Sequence, residues 1–316
     1  MHKISHHHPD LILEVSNALG IEDQGFVEKD LFVTQAIGII HDLENEYFKP
    51  VFAGGTCLAK AHKIIHRISE DIDFKITTTD QGKALSNEKL KRELTAYHNA
   101  MLALLETNGL QVNQEALLAA NDRKYFQVQL NYPSFYESSL TLRPHLLIEL
   151  TVSNTRRTTH VLSINSMVGE YLQAPHPITL ECISLVEAGA EKWVALTRKI
   201  AAIARGVYES DRNLVRHLYD LHAIDTQISL DRDFVDLTLE IIKQDAKQFR
   251  GQCPQYFQDP IGEIKNAINI LRGQDYQKDY DRFVGRMVIG NNPVSYENAW
   301  ECFEAMTRRV LLSAGL

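Results

Sequence analysis

Residues 71–76 read Asp-Ile-Asp-Phe-Lys-Ile. As a strand, with its two-residue period, this segment places Asp71, Asp73 and Lys75 on one face and Ile72, Phe74 and Ile76 on the other. Two residues of strand rise separate the aspartate Cα atoms by roughly 6.6 Å. From that spacing both carboxylates can converge on one metal ion, or on a pair about 3.5–4 Å apart. With no cation present, facing carboxylates repel, and one would take up a proton more readily. A third carboxylate has the same signature. In "HLLIELTV", Leu146, Ile148, Leu150 and Val152 share one face, and Glu149 sits mid-strand on the other with His145, Leu147 and Thr151. An unpaired charge in so apolar a run costs several kcal/mol, so Glu149 requires an Arg, a Lys or a metal as partner. The residues leave two readings open. Alone, Glu149 is best read as a carboxylate bonded to a neighbouring cation, whereas Asp71, Asp73 and Glu149 together favour a metal site.

Upstream, "AGGT" ends one apolar run and opens a helical one. Gly54 and Gly55 let backbone N–H groups approach an anion, and a helix start adds a favourable dipole. A tight strand–helix turn explains the glycines equally well by themselves. A phosphate cradle followed by a strand bearing a carboxylate pair is what phosphoryl or nucleotidyl transfer requires, since magnesium can bridge the phosphates to the carboxylates.

The elements that must position these groups change character near residue 175. Before it, helical segments at 27–45, 56–66 and 86–107 alternate with strand-like runs at 50–54, 71–76, 125–132, 142–152 and 159–164. This predicts an α+β fold, with a mixed β-sheet lobe over 1–174 and an all-helical lobe over 175–316. The segment 173–180, "QAPHPITL", reads as a proline-bearing connector. Val186, Gly189, Trp193, Leu196, Ile200 and Ile203 then mark one helix face, and Leu214, Leu218 and Leu221 a second. Further helices are expected over 232–250, 260–273, 277–288 and 295–313, with a break at 251–262.

Composition bounds what such a fold can do. The 316 residues are 44% hydrophobic and carry a formal charge of −8, so the whole chain is not a nucleic-acid magnet. The stretch 192–216 differs: Lys192, Arg198, Lys199, Arg205, Arg212 and Arg216 face only Glu209 and Asp211, six against two, or +4. That is a candidate polyanion patch, or simply a solvated helix face. The absence of an 18-residue apolar run and of an apolar leader leads to the expectation of a cytoplasmic protein without a membrane partner. Cys57, Cys182, Cys253 and Cys302 are too scattered for a zinc or disulfide pattern and are expected as free thiols. His6, His7 and His8 are read as solvated or expression-derived residues rather than a metal site.

At the carboxylate cluster the sequence resembles the nucleotidyltransferase superfamily. More specifically, Gly54-Gly55-Thr56-x-Leu58 with Arg67-x-Ser69-x-Asp71-x-Asp73-Phe74 resembles the AbiEii/AbiGii toxin family. That family includes the toxins of type IV toxin–antitoxin systems and the related tRNA-modifying MenT toxins. "VEKD" at 27–30 is similar to the opening of the family's first long helix. Glu191, Lys192, Ala195 and Leu196 resemble its third motif, and "VRHLYDL" its Arg-Asp-x-x-Asp-Leu motif. The resemblance spans roughly 25–225. Two departures stand out: Arg198 falls one step early, and His217 replaces the first Asp of the last motif.

The resemblance implies that Asp71, Asp73 and Glu149 hold Mg2+ (or Mn2+) and the NTP. Gly54, Gly55 and Thr56 would contact the leaving pyrophosphate, with Arg67 and Ser69 at its edge. Lys192 would grip a phosphate, and Asp220 would be catalytically essential. Judged by the residues alone, Lys192 could merely pack its stem beside Trp193, Arg216 and Asp220 could be a surface i,i+4 ion pair, and Glu28-Lys29-Asp30 would be structural bridges. The implied activity is transfer of a nucleoside monophosphate to an acceptor, by analogy the 3′ end of tRNA or another RNA, to arrest growth. A cognate AbiEi-type antitoxin would act without stable contact. Two alternatives are a protein or small-molecule hydroxyl as acceptor, and a catalytically silent nucleotide-binding regulator.

Overall fold

The computed structural model describes residues 9–136, 142–209, 211–228, 232–273, 276–290 and 293–315, so His6, His7 and His8 lie outside the described residues. The chain divides into two compact units, one of residues 9–63 with 68–183, the other of 64–67 with 184–315. The change of unit therefore comes at 183/184, beyond the 174/175 point at which composition shifts.

In chain order the first unit contains α1 (Pro9–Leu19), α2 (Gln24–His41), β1 (Phe48–Ala53), α3 (Gly54–Lys60), β2 (Asp71–Thr78), α4 (Asp80–Lys83) and α5 (Asn87–Thr107). There follow β3 (Gln111–Val112), β4 (Leu118–Ala120), β5 (Tyr125–Asn131), β6 (Leu146–Val152), β7 (His160–Ile164), α6 (Met167–Tyr171) and β8 (Ile178–Cys182). The sheet runs β3-β5-β6-β2-β1-β8-β7, with β4 paired to β5. It is mixed: β2 and β6 are parallel, as are β1 and β8, and the other pairs are antiparallel. The expected α+β architecture is what is found.

Two local expectations are corrected. The helix read over 56–66 ends at Lys60. The N–H groups of Ala61 and His62 both bond to the Cys57 carbonyl, and Lys63 takes a left-handed φ of 56°, which a helix cannot continue through. The segment 173–180 is not wholly a connector either, because its last residues open β8, which pairs with both β1 and β7. Pro175 and Pro177 precede the strand and so cost the ladder no hydrogen bond.

Period-two patterning divides the sheet into two kinds of face. Ile72, Phe74, Ile76, Ile148, Leu150, Phe126 and Val128 are all buried. On this apolar side Phe52 and Phe74 have ring centroids 5.3 Å apart, and His98 of α5 stacks on Phe126 at 4.1 Å. The other face carries the polar members of the same strands.

The second unit contains α7 (Leu185–Ala204), α8 (Val215–Asp225), α9 (Arg232–Gln248), α10 (Pro254–Gln258), α11 (Pro260–Gly273), α12 (Gln277–Met287) and α13 (Tyr296–Ser313). Ser184 caps α7 by accepting the Glu187 N–H. Pro254 and Pro260 each stand at a helix start, where a missing N–H costs nothing, so the expected break holds a short helix of its own. Helix α7 packs against α8, α9 and α11. A Cβ on Gly189 would meet Ile224 Cγ2 at 3.2 Å and Phe234 Cε2 at 3.5 Å, which explains the glycine in the buried stripe. Trp193 is fully buried and donates to Thr307 Oγ1 at 3.2 Å. The segment 64–67 belongs here because Arg67 bridges Val288 and the His66 carbonyl accepts the Ile289 N–H at 2.8 Å. All four cysteines are free.

Candidate active site

In the first unit the parallel register of β2 and β6 sets Asp73 directly beside Glu149, and Asp71 beside Leu147. Strand β5 extends the rows, with Gln127 next to Glu149, Gln129 next to Leu147, and Tyr125 next to Thr151. In-register neighbours share a face, so Asp71, Asp73, Lys75, Glu149, Tyr125 and Gln127 occupy one patch. Asp71, Asp73 and Glu149 are each half-buried, open enough for solvent or a ligand to reach.

Gly54 explains how Asp73 fits there. Its φ is +73°, and a Cβ at this position would lie 1.8 Å from Asp73 Oδ2. The glycine is therefore required twice over: for its left-handed backbone and for the space that the Asp73 carboxylate fills against the first turn of α3. Thr56, expected among the phosphate contacts, is instead fully buried. Its hydroxyl bonds to the Asp71 carbonyl and to Ser69 Oγ (2.9 Å), tying α3 to the entrance of β2. The Ser69 hydroxyl takes part in that same contact.

Two partners of the carboxylates lie outside the motifs. Arg143 Nη1 pairs with Asp71, and the Tyr125 hydroxyl lies 2.7 Å from Glu149 Oε1 and 3.0 Å from Gln127 Oε1. Burial and the adjacent Glu149 carboxylate raise the Tyr125 phenol well above its ordinary value, so it remains a hydrogen-bond donor. Tyr125 was legible only as the polar end of the alternating run "YFQVQL". Arg143 falls on the alternate positions of Glu149 in the 142–152 run, but β6 begins only at Leu146, so no period sets its partner.

In the same unit Glu28, Lys29 and Asp30 form structural bridges, as expected from the sequence. Glu28 accepts from the Phe135 N–H (2.8 Å) and the Ser134 hydroxyl. Lys29 is buried and donates to Glu70 and to the Arg143 carbonyl (2.7 Å). Burial lowers its ammonium pKa, and Glu70 offsets part of that effect. Asp30 pairs with Lys60 of α3 and accepts the Met167 N–H at 2.7 Å.

The second unit holds a different charged cluster. Asp220 is completely buried. It accepts from Arg67 Nε (2.7 Å) and Nη2 (2.8 Å), and the Lys192 ammonium lies 2.8 Å from its Oδ2. Burial by itself would raise the Asp220 pKa, but Arg67 and Lys192 outweigh it and hold the carboxyl far below the usual range. This corrects two expectations. Asp220 is not a surface partner of Arg216, because it is enclosed with Arg67 and Lys192 on its oxygens. Arg67, expected at the phosphate edge, is buried with its fork committed to Asp220. Lys192 is 13% exposed, with its ammonium directed at Asp220. His217 has both ring nitrogens buried without a hydrogen-bond partner among the described residues, and burial followed by Lys192, Arg216 and Lys199 keeps it neutral.

The +4 stretch is also corrected, since much of its charge is cancelled from outside the stretch. Lys192 pairs with Asp220, Arg198 with Asp245 and Arg205 with Glu263. The Arg198 guanidinium further lies 3.7 Å over the Phe249 ring.

Among the described residues no three His, Cys, Asp or Glu side chains already stand as a ligand set for a metal ion. Asp71, Asp73 and Glu149 are all carboxylate oxygen donors of the kind a hard divalent cation takes, and Arg143 on Asp71 and Tyr125 on Glu149 hold those oxygens in its place.

The family model described as "Nucleotidyl transferase AbiEii toxin, Type IV TA system" matches residues 38–305, well past the point near 225 where the motif resemblance ends. Nothing among the curated proteins matches the chain. Among solved structures, the nucleotidyltransferase toxin MenT4 of Mycobacterium tuberculosis H37Rv is similar at 16% identity with a TM-score of 0.39, over 73% of this chain and 77% of that one. No described helix is long and apolar enough to cross a membrane.

Proposed function

Since the chain belongs to the AbiEii nucleotidyl transferase toxin family of type IV toxin–antitoxin systems, we propose that it transfers a nucleoside monophosphate from an NTP to the 3′ end of tRNA. The observation that carries this reading is the patch in which Asp73 and Glu149 stand in register, Asp71 lies one step along, and Gly54 leaves room for Asp73 against the first turn of α3. The chemistry is in-line displacement at the α-phosphate.

Each residue has a part in that displacement. Asp71, Asp73 and Glu149 would hold a divalent cation, Mg2+ or Mn2+, which supplies positive charge at the attacking and leaving oxygens. Gly54 and Gly55 admit the pyrophosphate to the backbone N–H groups beside Asp73. Tyr125 orients Glu149 by donating to it. In the second unit Asp220 fixes the Lys192 ammonium, the phosphate grip that the family resemblance implies. The reaction belongs to the cytoplasm, where NTPs and tRNA are found, and the cognate antitoxin acts without stable contact.

A second reading keeps the donor and replaces tRNA with a protein or small-molecule hydroxyl. It is favoured by the net charge of −8 and by the pairing of Lys192, Arg198 and Arg205, which removes much of an expected RNA-facing patch.

Incubating the protein with Mg2+, each α-labelled NTP in turn and total tRNA separates these readings. Label on tRNA that vanishes in Asp73→Ala is the expected result. Label on protein or a small molecule selects the second reading, and nucleotide binding without transfer to any acceptor overturns both.

A further inference from the structure

Arg143 has its backbone clamped and its head exposed. Its N–H donates to Glu70 Oε2 at 3.0 Å, and its carbonyl accepts from Lys29 at 2.7 Å. Lys29 is itself buried and also bonds Glu70, so one salt-bridged pair grips the peptide on both sides of Arg143. Pro144 follows and restricts Arg143 to extended backbone. The guanidinium, by contrast, is 39% exposed where it meets Asp71, which is 21% exposed. An ion pair this open to water is weak and exchanges partners readily. Arginine remains charged at any working pH, and its planar fork matches a phosphate as well as a carboxylate.

This combination has a chemical consequence. The guanidinium beside Asp71 neutralises part of that carboxylate's charge. A divalent ion arriving at Asp71 repels the guanidinium, which then needs a new anion within reach of its fixed Cα. We propose that Arg143 is a triphosphate-binding arginine of the first unit: Asp71 holds it in the nucleotide-free protein, and it transfers to the β- or γ-phosphate when NTP and its cation bind. Lys29 and Glu70 are the positioning residues that keep its main chain in place during the exchange. The proposal rests on the nucleotidyl-transfer reading. Arg67 cannot take this part, because its fork is spent on Asp220.

Equilibrium binding tests it without relying on turnover. The dissociation constants of ATP, CTP, GTP and UTP and of their monophosphates are measured with Mg2+, and Mn2+ binding to the nucleotide-free protein is followed by spin resonance. For Arg143→Gln the expected result is an NTP affinity about 10- to 100-fold weaker, the loss expected of a charge-assisted phosphate contact. Monophosphate affinity stays unchanged, and Mn2+ binds at least as tightly as in the wild type, because Asp71 has lost its competitor. Arg143→Lys, which keeps the charge and the fold but loses the fork, falls between. Equal losses for NTP and NMP, weaker Mn2+ binding, or wild-type NTP affinity in Arg143→Gln each overturn the assignment. If the wild-type chain binds none of the four NTPs, the nucleotidyl-transfer reading falls with it. If the wild type binds and transfers label while Arg143→Gln binds NTP equally well, only the role of Arg143 falls.

Discussion

Asp220 and Asp73 are the same residue type on well-formed elements, and the protein treats them in opposite ways. Asp220 is sealed inside the second unit with two cations on its oxygens. Asp73 sits half-exposed in the first unit beside another carboxylate, in a space that exists only because residue 54 has no side chain. The first arrangement minimises electrostatic energy. The second keeps a carboxylate partly exposed beside the Glu149 strand position. Breaking a buried pair by removing one partner strands the other charge, whereas an exposed pair such as Arg143–Asp71 contributes about 0–1 kcal/mol. Asp220 is thus enclosed with its counter-ions, whereas Asp73 stays within reach of solvent.

The comparison breaks most visibly at Asp220. Asp220→Ala leaves Arg67 and Lys192 without their acceptor and is expected to destabilise the second unit by about 3–5 kcal/mol. Urea unfolding of this variant should lose stability on that scale; an unchanged midpoint would mean that the cluster is solvated rather than sealed. Acid should act in the same direction. A carboxyl depressed in the folded state stabilises the protein above its unfolded value, near pH 3.8, and that contribution is lost as pH falls below it.

Asp73→Ala should do the reverse. Transfer is expected to fall by roughly a thousandfold, the scale of losing a group that stabilises transition-state charge. The melting temperature should change little, since the Asp73 side chain is only half-buried. A variant that is inactive only because it unfolds would erase the contrast with Asp220.

The apolar face of the sheet sharpens the contrast with a titratable group that carries no charge. Burial, with a smaller contribution from Arg123, lowers the His98 pKa to about 4, and neither ring nitrogen has a hydrogen-bond partner among the described residues. A depressed histidine favours folding above its unfolded pKa near 6.5, and that stability drains away as pH falls from there to about 4, by up to about 3 kcal/mol. Comparing unfolding of wild type and His98→Phe at pH 7 and pH 4.5 measures the effect, and the variant should lose this part of the acid sensitivity.

The smallest effect is expected at Tyr125. Tyr125→Phe keeps the ring and deletes the donor to Glu149, so turnover should fall about tenfold with little change in melting temperature. A loss as large as that of Asp73→Ala would place the phenol in the chemistry itself rather than in orienting Glu149.

Much of this was readable in advance because strand and helix periods are local. The alternation through 71–76 and 146–152 assigned Asp71, Asp73 and Glu149 to polar faces, and the stripe from Gly189 to Ile200 assigned a buried helix side. The misreadings occurred where a distant partner decided the outcome. The 192–216 stretch looked basic because Asp220, Asp245 and Glu263 lie outside it in sequence. Thr56 looked like a ligand contact because nothing local shows that Ser69 and Asp71 take its hydroxyl.

By itself, then, the sequence determined which residues face together along each element, that a sheet-containing region precedes a helical one, and that Asp71, Asp73 and Glu149 lie on polar strand faces. Tertiary structure alone decided who neutralises whom: Arg67 is bound to Asp220 across 153 positions, Lys29 to Glu70 across 41, and Arg143 to Asp71 across 72. The reason is physical. Side-chain direction follows from backbone geometry within a few residues, but whether a charge is a tool or a strut depends on its dielectric surroundings and its counter-ion, and both are supplied by parts of the chain far away in sequence.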